Sequence, residues 1–419
     1  MKEETKETVF RLRWFVLVIM GLVIFGVYYA YDALSPIADF IMKGINISRA
    51  QYGLLFSFYY VPNIIMVLIG GILLDRVGIR KAGTLFAALC AAGVFLTAAT
   101  KIFPVMLLGR LLYGLGAESL IITQNKVLAK WFKGREMALA FGLNLMVARL
   151  GTFAALNSAA RVQEWTGSWR MAIWVSAVLM GGSLMLFFVF SALDRSKDKY
   201  FVKEKLVGED EKFVFKDIFA FRPSFWYVSL LCMTFYSAIF PFTAFSTVFL
   251  QEKFGFSAVK GGFYTSLVIT GTIIFTPLFG LVCDKIGKRA TMMILGSLLL
   301  VPIHLSLGLT HFAPALAMII LGISFSLVPA AMWPSIPIMV EEKRLGTAFG
   351  LMTLIQNAGL TLFNWVAGKL TDVAGGDYTH TILMFASLGF VGLIFALLLK
   401  GAAKRENVGL ELPTSKAQT

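Results

Sequence analysis

The chain has 419 residues, of which 58% are hydrophobic and 14% aromatic, with only 15% charged. That is too apolar for one or two soluble cores, and it excludes an ordinary soluble enzyme or binding module. A formal net charge of +14 would suit nucleic acid if it formed one patch, but here it is spread over the turns between apolar blocks, so no nucleic-acid partner is expected.

A helix crossing about 30 Å of hydrocarbon needs roughly 20 apolar residues. Twelve such blocks can be read, at about 14–40, 49–75, 81–101, 104–130, 138–162, 169–193, 223–250, 257–284, 290–310, 312–340, 345–372 and 380–400. The first is too long for a signal peptide and lacks a small-residue cleavage site, so it is kept as a membrane helix. Lys and Arg concentrate in alternate turns: Arg76, Arg80 and Lys81; Lys130, Lys133 and Arg135; a basic run within 195–222; Lys285, Lys288 and Arg289. The positive-inside rule then places both termini in the cytoplasm. The fold class is an all-α polytopic membrane protein with twelve transmembrane helices. A cell inner (plasma) membrane is the simplest location, with the lipid bilayer as one partner.

Block 1 carries Tyr28 and Tyr29 at mid-depth, with Asp32 and Asp39 toward its outer end. Block 2 carries Tyr59, Tyr60 and Asn63, then closes on Gly71-Ile-Leu-Leu-Asp75-Arg76-Val-Gly78-Ile-Arg80-Lys81. A carboxylate at that helix end can accept backbone N–H groups or pair with a basic residue of a neighbouring helix, such as Arg135. Block 4 holds Arg110, Glu118, Asn125 and Lys126, and block 5 holds Arg149. At ~1.5 Å per residue Glu118 lies about 21 Å from the outer face and Arg149 about 17 Å from the inner one, so both fall near the midplane. An ionisable side chain there is costly unless paired or facing water, which makes each a functional candidate. A clamp between the two helices is the bland alternative, yet buried pairs rarely stabilise better than apolar packing does.

Residues 194–222 form the one long polar run and split the blocks six and six. The expected division is a first half over 1–193, a linker over 194–222, a second half over 223–400 and a tail over 401–419. Phe213, Phe215, Ile218 and Phe219 give the linker an amphipathic character suited to the bilayer face. Block 7 contributes Tyr236, block 10 Trp333 and block 11 Asn357, while prolines 241, 277, 329, 334 and 337 are expected to interrupt blocks 7, 8 and 10. Gly280-Leu-Val-Cys-Asp284-Lys285-Ile-Gly287-Lys288-Arg289 after block 8 echoes the turn after block 2. Ala348-Phe349-Gly350-Leu351 likewise echoes Ala140-Phe141-Gly142-Leu143, a register that matches Arg149 with the neutral Asn357. Two six-helix repeats with a midplane site are a transporter architecture.

The turn Gly71–Lys81, its echo at Asp284 and Arg110-x-x-x-Gly114-x-Gly116 resemble the major facilitator superfamily over about residues 10–400. The run from Arg110 to Gly151, with Trp131-Phe132-Lys133-Gly134-Arg135-Glu136 between its helices, further resembles the branch that includes the animal lysosomal dipeptide uniporter. The superfamily implies two pseudo-symmetric halves that rock in alternating access. It also implies a gating motif here made of Gly71, Asp75, Arg76, Gly78, Arg80, Arg135 and Asp284. The branch implies that Glu118 and Arg149 hold the substrate.

Chemistry points the same way. A guanidinium holds a carboxylate through forked hydrogen bonds, and a carboxylate holds an ammonium. A dipeptide would place its carboxylate at Arg149 and its amine at Glu118, and in an empty site the two side chains could satisfy each other. Tyr28, Tyr59, Asn63, Asn125, Tyr236, Trp333 and Asn357 would line the remaining wall. An organic anion, with Glu118 handling a proton, is the competing substrate class. A transporter-like receptor or a structural membrane subunit is the competitor from another class. Cys90, Cys232 and Cys283 lack metal or redox spacing, and no nucleotide motif occurs, so no catalytic residue, metal or cofactor is expected. Block 5 lacks the proline of antiporter signatures, and block 1 lacks the E-x-x-E-R of proton-coupled peptide transporters. A monomer is expected, acting on a small molecule.

Overall fold

The structure, a computed structural model, describes residues 3–132, 136–197, 221–311 and 313–413; the side chains of 3–11, 67, 68, 75, 138 and 343 fall outside that description. Helices follow the apolar blocks. They are α1 (Glu3–Asp32), α2 (Ala38–Ile45), α3 (Arg49–Val77), α4 (Ile79–Ala99), α5 (Phe103–Phe132), α6 (Met137–Thr166) and α7 (Trp169–Lys197). They continue with α8 (Pro223–Phe254), α9 (Ala258–Ile286), α10 (Arg289–Leu309), α11 (Pro314–Met332), α12 (Ile336–Met339), α13 (Leu345–Val373) and α14 (Thr379–Arg405). Block 1 becomes α1 and α2 joined by a short 3-10 turn at Ser35–Ile37, and block 10 becomes α11 and α12 joined by another at Trp333–Ser335. Among the described residues, ten spans are long and apolar enough to cross a membrane. The other two long helices, α3 and α13, are each 29 residues, and Gln356, Asn357 and Asn364 dilute the apolar run of α13.

By contact, the chain forms two compact units, residues 1–34 with 65–209, and residues 35–64 with 210–419. In the first unit α4 and α5 pack on a stripe of small residues, where Gly93 faces the Gly109 carbonyl and Gly116 faces that of Phe86. Any side chain at Gly93 would overlap backbone, so the helices approach closely, as small residues permit in lipid. α6 meets α1 in the same way, with Gly151 against the Phe25 carbonyl.

One end of this unit is tied by a residue that the polarity of 194–222 obscures. α7 continues through Asp194, which is 2% exposed. Lys130 Nζ donates to both its carboxylate oxygens at 2.7 and 2.9 Å, Trp131 Nε1 donates to Oδ1 at 3.0 Å, and Arg80 Nη1 lies 3.6 Å from Oδ2. Three helices, α4, α5 and α7, thus end on one carboxylate.

Within the expected gating motif, Gly78 turns the chain from α3 into α4 at φ +87°, a left-handed conformation suited to glycine. Gly71 lies inside α3 and Arg76 is exposed. The Asp75 side chain and Arg135 lie outside the described residues. Asp284 is mostly exposed and stands 4.0 Å from Arg289.

In the second unit residues 35–64 pack against the later helices. Ser35 Oγ donates to the Thr243 carbonyl at 2.7 Å, and Ser57 Oγ to that of Thr361 at 2.6 Å. The backbone N–H groups of Arg49 and Ala50, at the start of α3, donate to Asp372 at 3.0 and 2.8 Å, and Arg49 pairs with Glu252 at 2.6 Å. Gly53 faces the Asn364 carbonyl, and Gly368 faces that of Arg49.

Prolines act differently from expectation. α8 and α9 run unbroken through Pro241 and Pro277. Of the three blocks expected to be interrupted, only block 10 is, at Trp333–Ser335. One proline removes one backbone hydrogen bond, which a membrane helix tolerates when neighbouring groups take up the freed carbonyl. Three close together, Pro329, Pro334 and Pro337, end the regular helix.

Candidate functional site

In the first unit, α1, α5 and α6 bring Tyr28, Asp32, Glu118 and Arg149 together. The Arg149 guanidinium carbon lies 5.9 Å from the centre of the Tyr28 ring, a cation–π placement. Arg149, Glu118 and Asp32 are all within electrostatic reach of the Tyr28 hydroxyl, and Arg149 and Arg110 are within reach of Asp32. Gly151 sits close to this group on α6. It lets α6 close on α1 at Phe25.

The expected mutual satisfaction of Glu118 and Arg149 does not occur. Among the described residues the Glu118 carboxylate has neither an ion pair nor a hydrogen bond, although the residue is half-buried. Desolvating a carboxylate without a partner is unfavourable, so the arrangement suits a cationic ligand group rather than a clamp. Asn125, on the same helix, is exposed.

Arg110 is 2% exposed and lies over two rings, 5.6 Å from Tyr31 and 5.3 Å from Tyr113. Tyr113 in turn donates its hydroxyl to the Val27 carbonyl. This arginine is packed into the unit beside Asp32. Tyr113 follows Arg110 by three residues on α5, a spacing legible in sequence, whereas Tyr31 joins only through the α1–α5 packing.

In the second unit the expected residues form an aromatic group and two amides. Trp333 Nε1 donates to the Tyr236 hydroxyl at 2.9 Å. Tyr236 stacks on Phe240 with centroids 5.6 Å apart and meets Phe325 edge-on at 5.9 Å. Phe240 and Phe325, which the sequence reading did not single out, complete the group. The signal was present in the spacing, since Phe240 follows Tyr236 by one helical turn. Tyr59 packs edge-on against Tyr60 at 5.0 Å. Asn63 is fully buried with neither amide atom hydrogen-bonded, and Asn357, 1% exposed, has an Nδ2 without a partner. Buried amides of this kind call for water or a ligand.

The Trp333–Tyr236 bond fixes the indole at the break in block 10. Tyr236→Phe removes the acceptor and is expected to lower thermal stability by about 1 kcal/mol, the usual net value of such a bond. It should also change the indole's fluorescence, since the freed N–H must find another partner. Unchanged stability and emission would show that the bond does not position Trp333.

The major facilitator superfamily family model matches residues 20–336 and, in a second segment, 242–417. The chain belongs to the major facilitator superfamily. It is 34% identical to the lysosomal dipeptide transporter MFSD1 of Danio rerio over 401 residues, spanning 92% of this chain and 86% of that one. It is 32% identical to the same transporter of Homo sapiens, spanning 92% and 85%. A probable sulfoacetate transporter, SauU, of Cupriavidus necator is 26% identical over 87% of each chain. Among solved structures, a point mutant of the nucleoside transporter NupG superposes with a TM-score of 0.75 at 14% identity, covering 91% of this chain and 99% of that one. A bacterial homolog of the human lysosomal transporter Spinster, in an inward-facing and occupied conformation, gives 0.74 at 16%, covering 94% and 98%. Both structures speak to fold alone. The protein is a multi-pass membrane transporter that acts on a small molecule; it is not an enzyme.

Proposed function

We propose that this transporter carries small peptides, dipeptides foremost, by alternating access between its two six-helix repeats. Glu118 takes the peptide's ammonium and Arg149 its carboxylate, with Tyr28 beside the guanidinium. The observation that carries this reading is the Glu118 carboxylate, half-buried and without a partner among the described residues, on the same unit as Arg149. The 32–34% identity to dipeptide transporters supports it. A dipeptide separates its two charged ends by about 3.5 Å more than one amino acid does, so two charges on different helices can tell them apart by length. Asn125, Tyr59, Asn63, Tyr236, Trp333 and Asn357 supply the remaining contacts in this reading. The gating motif latches the inner face, both termini lie in the cytoplasm, and the protein works as a monomer in a cell inner (plasma) membrane.

The likeness to a probable sulfoacetate transporter favours a second reading, an organic anion held at Arg149 alone. A thermal-shift screen of the purified protein separates the two. Dipeptides should stabilise it, and single amino acids and dicarboxylates should not. Stabilisation by dicarboxylates but not dipeptides would replace the first reading with the second.

A further inference from the structure

Two long helices of the second unit begin without a cap of their own. The residue before α8 is Arg222 and the residue before α10 is Lys288, and neither side chain makes a capping hydrogen bond. Neither can, because a cap must accept from the first free N–H groups, while guanidinium and ammonium groups only donate. Placing a cation at a helix N-terminus also opposes the helix dipole. Local sequence therefore leaves both starts uncapped, although α8 has Pro223 at its first position.

The chain after α14 supplies what they lack. Glu406 accepts from the Ser224 backbone N–H at 3.2 Å and from Ser224 Oγ at 2.6 Å. Five residues on, Glu411 accepts from the Thr291 N–H at 3.1 Å and from Thr291 Oγ1 at 2.7 Å. The backbone between and after them is held as well. Lys288 N–H donates to the Glu411 carbonyl at 3.2 Å, Arg289 N–H to that of Leu410 at 3.0 Å, and Arg289 Nη1 to that of Leu412 at 3.0 Å. Lys400 Nζ donates to Thr291 Oγ1 at 2.7 Å and stands 3.8 Å from Glu411. Leu410 is fully buried, Arg289 is 1% exposed, and Gly287 lies against the Leu412 backbone.

We propose that Glu406–Leu412 is a clasp that caps α8 and α10 from the far end of the chain and thereby holds the Asp284–Arg289 turn in place. Each cap is a carboxylate at the positive end of a helix, joined there by a side-chain hydroxyl donor as well as the backbone. The repetition of one arrangement at two helices is not what a loosely lying tail would produce. The turn it holds is the second-half echo of the Gly71–Lys81 motif, so the clasp controls how freely that turn moves. Removing it leaves the helices intact beyond their first turns but frees their inner ends.

Hydrogen exchange on the full-length protein in detergent or nanodiscs tests this without any substrate, so it stands apart from the peptide reading. Glu411→Ala should raise exchange about fivefold at residues 287–292, the equivalent of one lost cap, and leave 223–226 unchanged. Glu406→Ala should do the reverse. Glu411→Gln, which keeps an acceptor oxygen, should fall between Glu411→Ala and the parent protein. A chain ending at Arg405 should show both effects together. Equal exchange at both sites in all four variants would overturn the clasp. So would uniform loosening over the whole second unit in the single variants, because that marks general destabilisation rather than two separate caps.

Discussion

Replacing Arg149 with alanine is expected to weaken dipeptide binding by about a hundredfold, which is close to 3 kcal/mol. A carboxylate held by a guanidinium in a partly buried site makes charge-assisted hydrogen bonds, and their loss leaves the ligand's charge desolvated without a partner. Glu118→Gln keeps shape and a hydrogen-bond acceptor while removing the charge, so the expected loss is smaller, about tenfold. Ligand chemistry gives the matching controls. An N-acetylated dipeptide has no ammonium, so it should bind weakly to the parent protein and be indifferent to Glu118→Gln. A C-terminal amide should be indifferent to Arg149→Ala in the same way. If each modification couples to its own residue and not to the other, the peptide's direction in the site is assigned. Full dipeptide binding by both protein variants would remove the pair from the site.

Hydropathy was sufficient to find every long helix, because a membrane span must be continuously apolar and no water is present to reward anything else. Glu118 and Arg149 were visible for the same reason: in a span, a charge stands out against its neighbours. Their relation was not visible. Depth places both near one plane, but only the packing of α6 on α1 shows that Arg149 lies against Tyr28 while Glu118 keeps no partner among the described residues. Proline alone was a poor guide. Pro241 and Pro277 remain inside regular helix, and the break at Trp333 falls where three prolines coincide.

Polar stretches hid the most. Asp194 sits at the start of a run of charges that reads as linker, and Glu406 and Glu411 sit in a tail that reads as solvated. All three carboxylates are structural, and each takes donors from a distant part of the chain. Asp372 belongs with them, since it accepts from the first N–H groups of α3. Three carboxylates thus supply what local sequence leaves out, two at helix starts and one where three helices converge, while Asp372 adds to a start that Ser48 and Gln51 already cap. A helix end near the membrane surface has free backbone groups and little apolar contact, so a single carboxylate from afar decides its position.

Asp194→Ala, away from the proposed substrate site, is therefore expected to be strongly damaging, costing about 3–5 kcal/mol. Asp194 is nearly fully buried and Lys130 is 18% exposed at its side chain, so removing the carboxylate takes two short charge-assisted hydrogen bonds from an ammonium in a place water reaches poorly. The Trp131 indole N–H loses its acceptor at the same time. Asp194→Asn separates the two effects. It keeps an oxygen for Trp131 but offers Lys130 no charge, so most of the loss should persist. Pairing Asp194→Leu with Lys130→Met should recover the part of the loss that belongs to that ion pair, while the Trp131 and Arg80 contacts stay lost. Thermal unfolding of the four proteins in one detergent measures this directly. If Asp194→Ala unfolds within about 0.5 kcal/mol of the parent, the carboxylate is not what holds α4, α5 and α7 together. If the double substitution is no better than the single one, the cost lies outside the Asp194–Lys130 ion pair.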